Sequence, residues 1–414
     1  MTAETNTLSQ PSFKASIQKY VNYLLKQYSY IPTVYEFLCN KSNSANKAYK
    51  KFLREKALHS GFSEETVSSE NSLLVPSEIL QELNIKEGTA KAFDFISERL
   101  FETQFVDCIT TFDVFLMSLF RSIFAICPDI LNSSGKTITY KELQALDSVE
   151  RARKLIEDDI IDTTFRGSHK SQLEYLKCTF HIDIIAWAPN LFSKFIELTE
   201  RRNALIHCDG IASSQYVSVC KQCGVENIAA EGTRLIIDKY YFKNSCLTLL
   251  ELALTIGYAS WKKYSNDDRA DEYLINSCDA LCREGHYELV VSLVSFALNK
   301  LKKKPNNLNI HHMTAYQIYA FKRLGREDEK NQLLKGDWSS VGLSVEIILD
   351  ILKEDFSSAV DKVKRNGKNL DDAKRYTSMD IYSDLIKEQS FLDAYKEIYG
   401  EDFRCRREEY IRES

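Results

Sequence analysis

The sequence predicts an all-α protein, and three observations carry that prediction. Only 6 prolines and 14 glycines occur in 414 residues. Strict alternation of apolar and polar side chains, the pattern of a half-buried strand, is scarce. Apolar side chains recur instead at three- and four-residue steps over long stretches, which is the spacing of one helix face. Together these features favour helices packed on helices.

The length, charge and cysteine content limit the classes of protein to which this chain can belong. A chain of 414 residues suits two or three domains, because single cores seldom grow past about 250 to 300 residues. A net charge of -5 and a pI near 5.9 argue against a protein that coats nucleic acid through a global positive field, so any RNA contact should be local. The 11 cysteines lack framework spacing and no secretory pattern opens the chain, which predicts a cytoplasmic protein. No apolar run reaches the roughly 18 to 20 residues that cross a bilayer, so no membrane segment is expected.

The first segment, residues 1–88, is predicted to be a separate helical piece. Helical patterns occupy residues 17–25 and 48–57. Residues 61–77 are rich in Ser and Glu, which predicts a loop. A domain boundary is therefore expected before residue 89, and the sequence does not indicate a role for this segment.

The middle of the chain, residues 89–264, is predicted to be a helical bundle. Its first helix should run over residues 89–124 and end at Cys127-Pro128, because the residue before a proline resists helical geometry. Pro189 should open a later helix, and a long apolar helix is expected over residues 240–262. Several such helices in succession predict a compact bundle. The apolar face of the first helix comprises Phe93, Ile96, Leu100, Phe101, Phe105, Ile109, Phe112, Leu116, Leu119 and Ile123.

The last part, residues 265–414, repeats one pattern four times. Stretches beginning at Cys282, Phe321, Leu352 and Ile386 each predict helix, tight polar turn, helix. Their spacing lies within or slightly below the roughly 34 to 47 residues of helical solenoids, and the pattern resembles degenerate tetratricopeptide hairpins. The fixed Trp, Gly and Pro positions of that repeat are not met, so a plain helical tail is the alternative. A repeat array offers a concave face, which predicts that this region senses or regulates by docking a protein partner.

The best candidate for a catalytic site in this sequence is the segment Arg202-Asn203-Ala204-Leu205-Ile206-His207. On a helix, Asn203 and His207 share a face and Arg202 is displaced by about 100°. A guanidinium binds a phosphoryl group with paired donors. An imidazole titrates near neutrality and can take a proton from a ribose 2'-hydroxyl or give one to a leaving 5'-oxygen. These groups suit RNA cleavage without a metal, and the alternative is a chance string in which His207 only caps a helix before Gly210.

Residues 200–211 resemble the signature of the HEPN superfamily, a family of helical nucleotide-binding and ribonuclease domains. That signature is Arg, commonly followed by a polar residue, then His after four to six positions, and here four residues intervene. The following His207-Cys208-Asp209-Gly210-Ile211 with Tyr216 is similar to the group linked to abortive phage infection. Residues 111–120 resemble the first conserved helix of that group, with Asp113 in the acidic position. The resemblance covers about residues 90–260.

The resemblance implies a four- or five-helix bundle that forms a homodimer with its motif helices facing each other. Arg202 and His207 of two copies would line one cleft, with Asn203 and Asp113 orienting them. The implied reaction is attack of the 2'-hydroxyl on the adjacent phosphate of an RNA substrate, with no cofactor and no metal. The implied setting is a toxin effector in bacterial antiphage defence by abortive infection.

Other functions stay open at this point. The principal alternative function is a non-catalytic dimeric adaptor that binds a protein partner or a nucleotide. A further alternative is a protein that pairs with a partner enzyme, which transfers a nucleotidyl group.

Cys220-Lys-Gln-Cys223 is compatible with a zinc or redox site. No second Cys/His pair lies at ligand spacing, so two free thiols are favoured. Arg166 and His169 precede the motif helix and could approach its cleft, although nothing local requires it.

Overall fold

The computed structural model describes residues 12–59, 77–132, 134–146, 148–265, 268–339 and 341–404. These residues are helical and contain no strand, which confirms the all-α prediction. Ile211 and Arg234 form one isolated antiparallel bridge. The loop predicted over residues 61–77 lies outside the described residues except for Ser77.

The described residues form eighteen α-helices, numbered here in chain order. The first ten are α1 (Phe13–His59), α2 (Leu80–Ile126), α3 (Asp129–Asn132), α4 (Tyr140–Gln144), α5 (Val149–Phe165), α6 (His169–Phe180), α7 (Ile184–Trp187), α8 (Pro189–His207), α9 (Ser214–Gln222) and α10 (Lys239–Tyr264). The others are α11 (Arg269–Arg283), α12 (Tyr287–Asn299), α13 (Asn307–Arg323), α14 (Glu327–Leu334), α15 (Leu343–Leu352), α16 (Phe356–Asn366), α17 (Leu370–Ser378) and α18 (Gln389–Tyr399). Short 3-10 turns occupy Ser77–Ile79, Asp380–Tyr382 and Leu385–Lys387.

The predicted boundary between residues 88 and 89 is wrong. Helix α2 runs without a break from Leu80 to Ile126 and so crosses that position. Helix α1 packs along both α2 and α10, and its side chains Ile17, Tyr20 and Leu24 are buried in the main core. The Tyr20 hydroxyl donates a 2.9 Å hydrogen bond to the carbonyl of Cys108. Because its apolar face is covered by the bundle helices, the N-terminal segment belongs to the bundle.

Helix α10 lies at the centre of the molecule. It contacts α1, α2 and α8 on the bundle side and α11 and α12 on the C-terminal side. Gly257 permits the close approach of α1, since a Cβ at this position would lie 2.6 Å from Cγ1 of Ile17. One hydrophobic core continues from Phe13 to Tyr395 through this helix. The predicted boundary at residues 264 and 265 coincides with the end of α10 and does not interrupt that core.

Local helix signals in the middle of the chain agree with the structure. Helix α2 ends at Ile126, just before Cys127-Pro128, and α8 begins at Pro189. The C-terminal part of the predicted apolar face is buried, whereas Ile96 is 47% exposed. The apolar stripe of α2 is therefore narrower near its N-terminal end than its sequence predicts.

Three of the four predicted hairpins are present and share one turn geometry. The pairs are α11 with α12, α13 with α14, and α15 with α16. In each turn the second residue after the helix is left-handed: Gly285 (φ 78°), Gly325 (φ 71°) and Glu354 (φ 64°). In each turn the next amide donates back to the carbonyl five residues earlier, at 2.8 to 2.9 Å. The three hairpins are therefore joined by the same type of turn, which also ends α9 at Gly224 (φ 71°).

The fourth predicted hairpin differs from the other three. The stretch from Ile386 lies in the 3-10 turn Leu385–Lys387, which leads directly into α18. Successive pairs pack on each other, with α11 on α13, α13 on α15, and α16 on α18. The array therefore ends in a modified unit.

Helix α2 also bears on the question of a membrane. Among the described helices it alone is long and apolar enough to cross a bilayer, and half of its most apolar window is buried against other helices. A core helix of a soluble protein has the same composition. The absence of a membrane segment therefore stays a prediction.

The shared turn geometry predicts opposite effects of two substitutions. A left-handed residue with a Cβ costs about 1 kcal/mol or more, and glycine avoids this cost. Gly325→Ala should lower the free energy of unfolding by about 1 kcal/mol, since a Cβ there meets nothing within 4 Å and only backbone strain is added. Glu354→Gly should raise it by up to about 1 kcal/mol. Urea unfolding followed by circular dichroism measures both.

Glu354→Gly also removes an ion pair between the exposed Glu354 carboxylate and the largely buried Lys322, at 3.1 Å. Lys322 keeps Asp384 as a second partner at 3.2 Å, so this loss should be small. Equal destabilisation by both substitutions would contradict the explanation from backbone strain.

Candidate active site

The motif helix α8 ends where the sequence predicts. It runs from Pro189 to His207, and the amides of Cys208 and Gly210 both donate to the carbonyl of Ala204, at 2.8 and 3.0 Å. Gly210 has a φ of +72°, and a Cβ there would lie 3.3 Å from Cδ2 of Leu205. This glycine therefore stops the helix directly after the motif.

Arg202 is oriented by a short chain of polar side chains on its own helix. Its Nη1 donates to Oδ1 of Asn203 at 3.2 Å, and Nδ2 of Asn203 donates to Oε1 of Glu200 at 3.5 Å. Glu200 is buried, and this burial raises the pKa of its carboxyl group above the ordinary value, while His169 and Asn203 act in the opposite direction. Arg202 and Asn203 are half-buried. The guanidinium is thus held in place at the rim of the core.

His207 is placed differently. It is the last residue of α8, and its side chain is exposed. Its imidazole makes no hydrogen bond or ion pair with any residue that the structure describes. As the fourth residue after Asn203 on a continuous helix, it lies on the same face as that amide. The imidazole is therefore open to a ligand.

Asp113 does not contact Arg202 or His207, the two residues that the resemblance expects it to orient. Its Oδ1 lies 3.1 Å from Nε2 of His169, at the start of α6. This is ion-pair distance, but neither atom has hydrogen-bonding geometry to a described partner. The His169 ring also packs edge-on against Phe195 of α8, with ring centroids 5.7 Å apart. The Asp113 carboxylate therefore faces His169 of α6 and not the motif residues, although α2 and α8 also pack directly on each other through Phe112 and Phe195, with ring centroids 4.9 Å apart.

Buried polar atoms without hydrogen-bond partners concentrate around these helices. Seven such atoms occur in the described part of the chain, and four belong to Asp113, His169, Gln172 and Arg202. Unpaired buried polar atoms are costly and rare, and a functional role or bound solvent is a common reason for them. The contact of α2, α6 and α8 thus holds four of the seven unpaired buried polar atoms of the described residues.

The sequence pattern does not predict the places of Glu200 and Gln172, nor a role for His169. One signal for His169 was present, since His169, Leu173, Leu176 and Phe180 follow helical spacing and all four are buried. This stripe places His169 on the core-facing side of α6. Glu200 lies within the motif segment, three residues before Asn203.

The neighbouring Arg201 has a structural role. Its Nε lies 2.8 Å from Oε1 of Glu197, and its guanidinium lies 4.2 Å from the ring centroid of Tyr241. Tyr216 donates to the same Glu197 oxygen at 2.8 Å. This cluster ties α8 to α9 and α10, so Arg202 is the arginine of the pair that remains for binding.

The Cys220 and Cys223 thiols do not form a metal centre with other described residues. Cys220 is fully buried beside Tyr216 and Leu235, and burial raises the pKa of its thiol to about 12. Burial also raises the pKa of Cys223. No group of three or more His, Cys, Asp or Glu side chains at metal-binding distance occurs in the described ranges.

Comparisons with known proteins add no relative to this geometry. The chain matches no protein-family model, no curated protein and no solved structure. The function must therefore be argued from the residues themselves.

The raised pKa of Cys220 predicts slow chemical modification. At pH 8 a thiol of pKa about 12 is almost wholly protonated, and the thiolate is the reactive form. Iodoacetamide should therefore modify the exposed Cys178 and Cys208 readily and leave Cys220 intact until the protein is unfolded. Peptide mass spectrometry after timed labelling measures this. Labelling of Cys220 as fast as Cys178 in the folded protein would refute its assignment as an inert core thiol.

Proposed function

We propose that this protein is a metal-independent endoribonuclease with its reaction centre at Arg202 and His207. The observation that supports the proposal is the end of α8, where Arg202 is held by Asn203 and Glu200, and the exposed imidazole of His207 follows about one and a half turns later on the same helix. Cleavage by a ribose 2'-hydroxyl requires stabilisation of the charge on the phosphoryl oxygens and transfer of a proton. A fixed guanidinium and an exposed imidazole within two turns of helix can supply these two functions.

In the proposed reaction His207 takes the proton of the 2'-hydroxyl while its oxygen attacks the adjacent phosphorus. Arg202 donates hydrogen bonds to the phosphoryl oxygens, whose negative charge is most concentrated in the pentacoordinate transition state. The bond to the 5'-oxygen then breaks, and that oxygen receives a proton from a second, protonated imidazole, that of His207 of the partner subunit. The products are a 2',3'-cyclic phosphate and a 5'-hydroxyl.

The proposal includes a homodimer. One imidazole cannot be base and acid in the same step, and the imidazole of His207 makes no hydrogen bond or ion pair with a second acid or base among the described residues. A two-fold axis at the ends of two α8 helices would bring two copies of His207 and Arg202 to one cleft. Each chain would then contribute half of the site.

The biological setting follows the same proposal. An RNA-cleaving toxin acts in the cytosol and must be held silent until needed. The hairpin array from α11 to α18 offers a separate surface for a regulating protein. We propose antiphage defence by abortive infection as the process it serves.

A dimeric adaptor without catalysis is the second candidate. It is favoured by three exposed apolar side chains at or near the end of the motif helix: Ile206 (45%), Ile236 (67%) and Tyr240 (76%). Exposed apolar groups of this kind suit protein contacts. If the protein is an adaptor, RNA incubated with it should stay intact and a protein partner should be bound to it.

The central test is cleavage of total RNA by purified protein in EDTA. The wild type should produce fragments, and Arg202→Ala or His207→Ala should lower the rate by about 100-fold or more. The loss has a direct reason, because each variant removes either charge stabilisation or proton transfer. Fragment ends should carry 2',3'-cyclic phosphates, which end-group analysis detects.

Arg153→Ala is the matched control. Arg153 is exposed on α5 and belongs to no proposed site, so its loss should leave both fold and cleavage unchanged. If the wild-type protein leaves RNA intact and co-purifies with another protein, the proposal of a nuclease is wrong and the adaptor function is favoured. Unchanged cleavage in both motif variants would move the reaction centre elsewhere.

The composite site predicts that activity depends on protein concentration. Below the dissociation constant of the dimer, the rate should fall with the square of the protein concentration, because two chains form one site. Light scattering after size-exclusion chromatography gives the mass of the species at each concentration. A rate that stays proportional to concentration while the protein is monomeric would rule out the composite site.

A further inference from the structure

A cleft of about 650 Å³ lies on the molecule between α1 and α11, with α10 as its floor. We refer to it as the α1–α11 cleft. Its volume falls in the range of small-molecule sites, roughly 300 to 1,000 Å³. Its lining residues come from the bundle and from the first hairpin of the array, and none belongs to the motif helix.

One end of the cleft is aromatic and cationic. Phe13 stacks on Trp261 with ring centroids 6.4 Å apart, and Trp261 lies 5.9 Å from Tyr273. Lys14 and Arg269 line the same cleft as these rings. The rings of Phe13 and Trp261 are buried, so Tyr273 is the half-buried ring of this cluster, and the two cations of the cleft suit a ligand that carries an anionic group.

The middle of the cleft is lined by amides. Nε2 of Gln18 donates to Oδ1 of Asn22 at 2.6 Å. This bond leaves the oxygen of Gln18 as an acceptor and the amino group of Asn22 as a donor. Asn276 adds another amide from α11. Adjacent amide donors and acceptors are the groups that pair with the edge of a nucleobase.

Glu272 and Tyr273 of α11 also line the cleft. Glu272, one turn beyond Arg269, is exposed and lines the cleft, and a carboxylate accepts hydrogen bonds from ribose hydroxyls. The Tyr273 hydroxyl is buried and has no hydrogen-bond partner among the described residues. The Ser277 hydroxyl, one turn further on, donates instead to the Tyr273 carbonyl at 2.8 Å.

We propose that the α1–α11 cleft binds a ribonucleotide. The phosphates lie against Lys14 and Arg269, the ribose against Glu272, and the base between the aromatic end and the amides of Gln18, Asn22 and Asn276. The ligand then contacts the bundle through α1 and the hairpin array through α11. This site is distinct from the motif helix and does not depend on RNA cleavage.

Isothermal titration calorimetry on the full chain tests the proposal. The probes are the four ribonucleoside triphosphates and monophosphates, with adenosine, guanosine and pyrophosphate for the separate parts. At least one nucleotide should bind saturably. Lys14→Gln should weaken it by about ten-fold and leave the nucleoside unchanged, because a charged hydrogen bond to phosphate is lost. Asn276→Leu should weaken both nucleotide and nucleoside.

Both substituted residues are exposed, so the variants should retain the wild-type thermal unfolding curve. Lys26→Gln, also exposed on α1 but outside the cleft, is the matched control and should bind as the wild type. Binding in an Arg202→Ala background separates this cleft from the motif, since the nucleotide should still bind there.

Three results would overturn the proposal. The first is that no ribonucleotide binds at millimolar concentration. The second is that binding is unaffected by both Lys14→Gln and Asn276→Leu. The third is that pyrophosphate binds as tightly as every nucleotide, which would make the cleft an anion site without a base pocket.

Discussion

The burial of the C-terminal half of α10 on every side is the constraint on which the rest of this structure depends. Every residue from 252 to 262 is buried, including Lys262. A helix that is apolar all round must be enclosed by others. The bundle helices α1, α2 and α8 cover one side, and α11 and α12 cover the other. Lys262 is accepted in this interior because its Nζ lies 2.9 Å from Oδ2 of Asp271, which is also buried. Bundle and array therefore share a helix that neither could leave exposed.

Local spacing was sufficient to predict the helices but not their partners. The start of α8 at Pro189, the end of α2 before Pro128, and three hairpin turns follow from residues that are close in sequence. The place of α1 depends on contacts such as that of Ile17 with Gly257, which are 240 positions apart. A sequence pattern shows that such a face is apolar without showing which helix covers it. This is why the segment before residue 89 was assigned to a separate piece.

The candidate site likewise contains some contacts that local sequence spacing predicts and others that it does not. Arg202, Asn203 and His207 lie on one helix, so their mutual placement follows from the spacing alone. The pairing of Asp113 with His169 joins α2 to α6, and no local signal specifies it. The two adjacent arginines show a further limit, because only the contact of Arg201 with Glu197 and Tyr241 separates the structural arginine from the available one. Long-range contacts thus assign roles that residue types leave equal.

The three identical turns have a consequence for how the molecule comes apart. In an array of stacked hairpins each unit is held mainly by its neighbours, so stability is a sum of unit and interface contributions. The first unit is also held by α10, whereas α18 packs on α16 at the far end. The 3-10 turn Asp380–Tyr382, however, packs back on α11, and the amide of Asp380 donates to Oδ1 of Asp279 at 2.9 Å. The C-terminal end of the array is thereby tied to its first unit, so the hairpins should lose structure together and not one at a time.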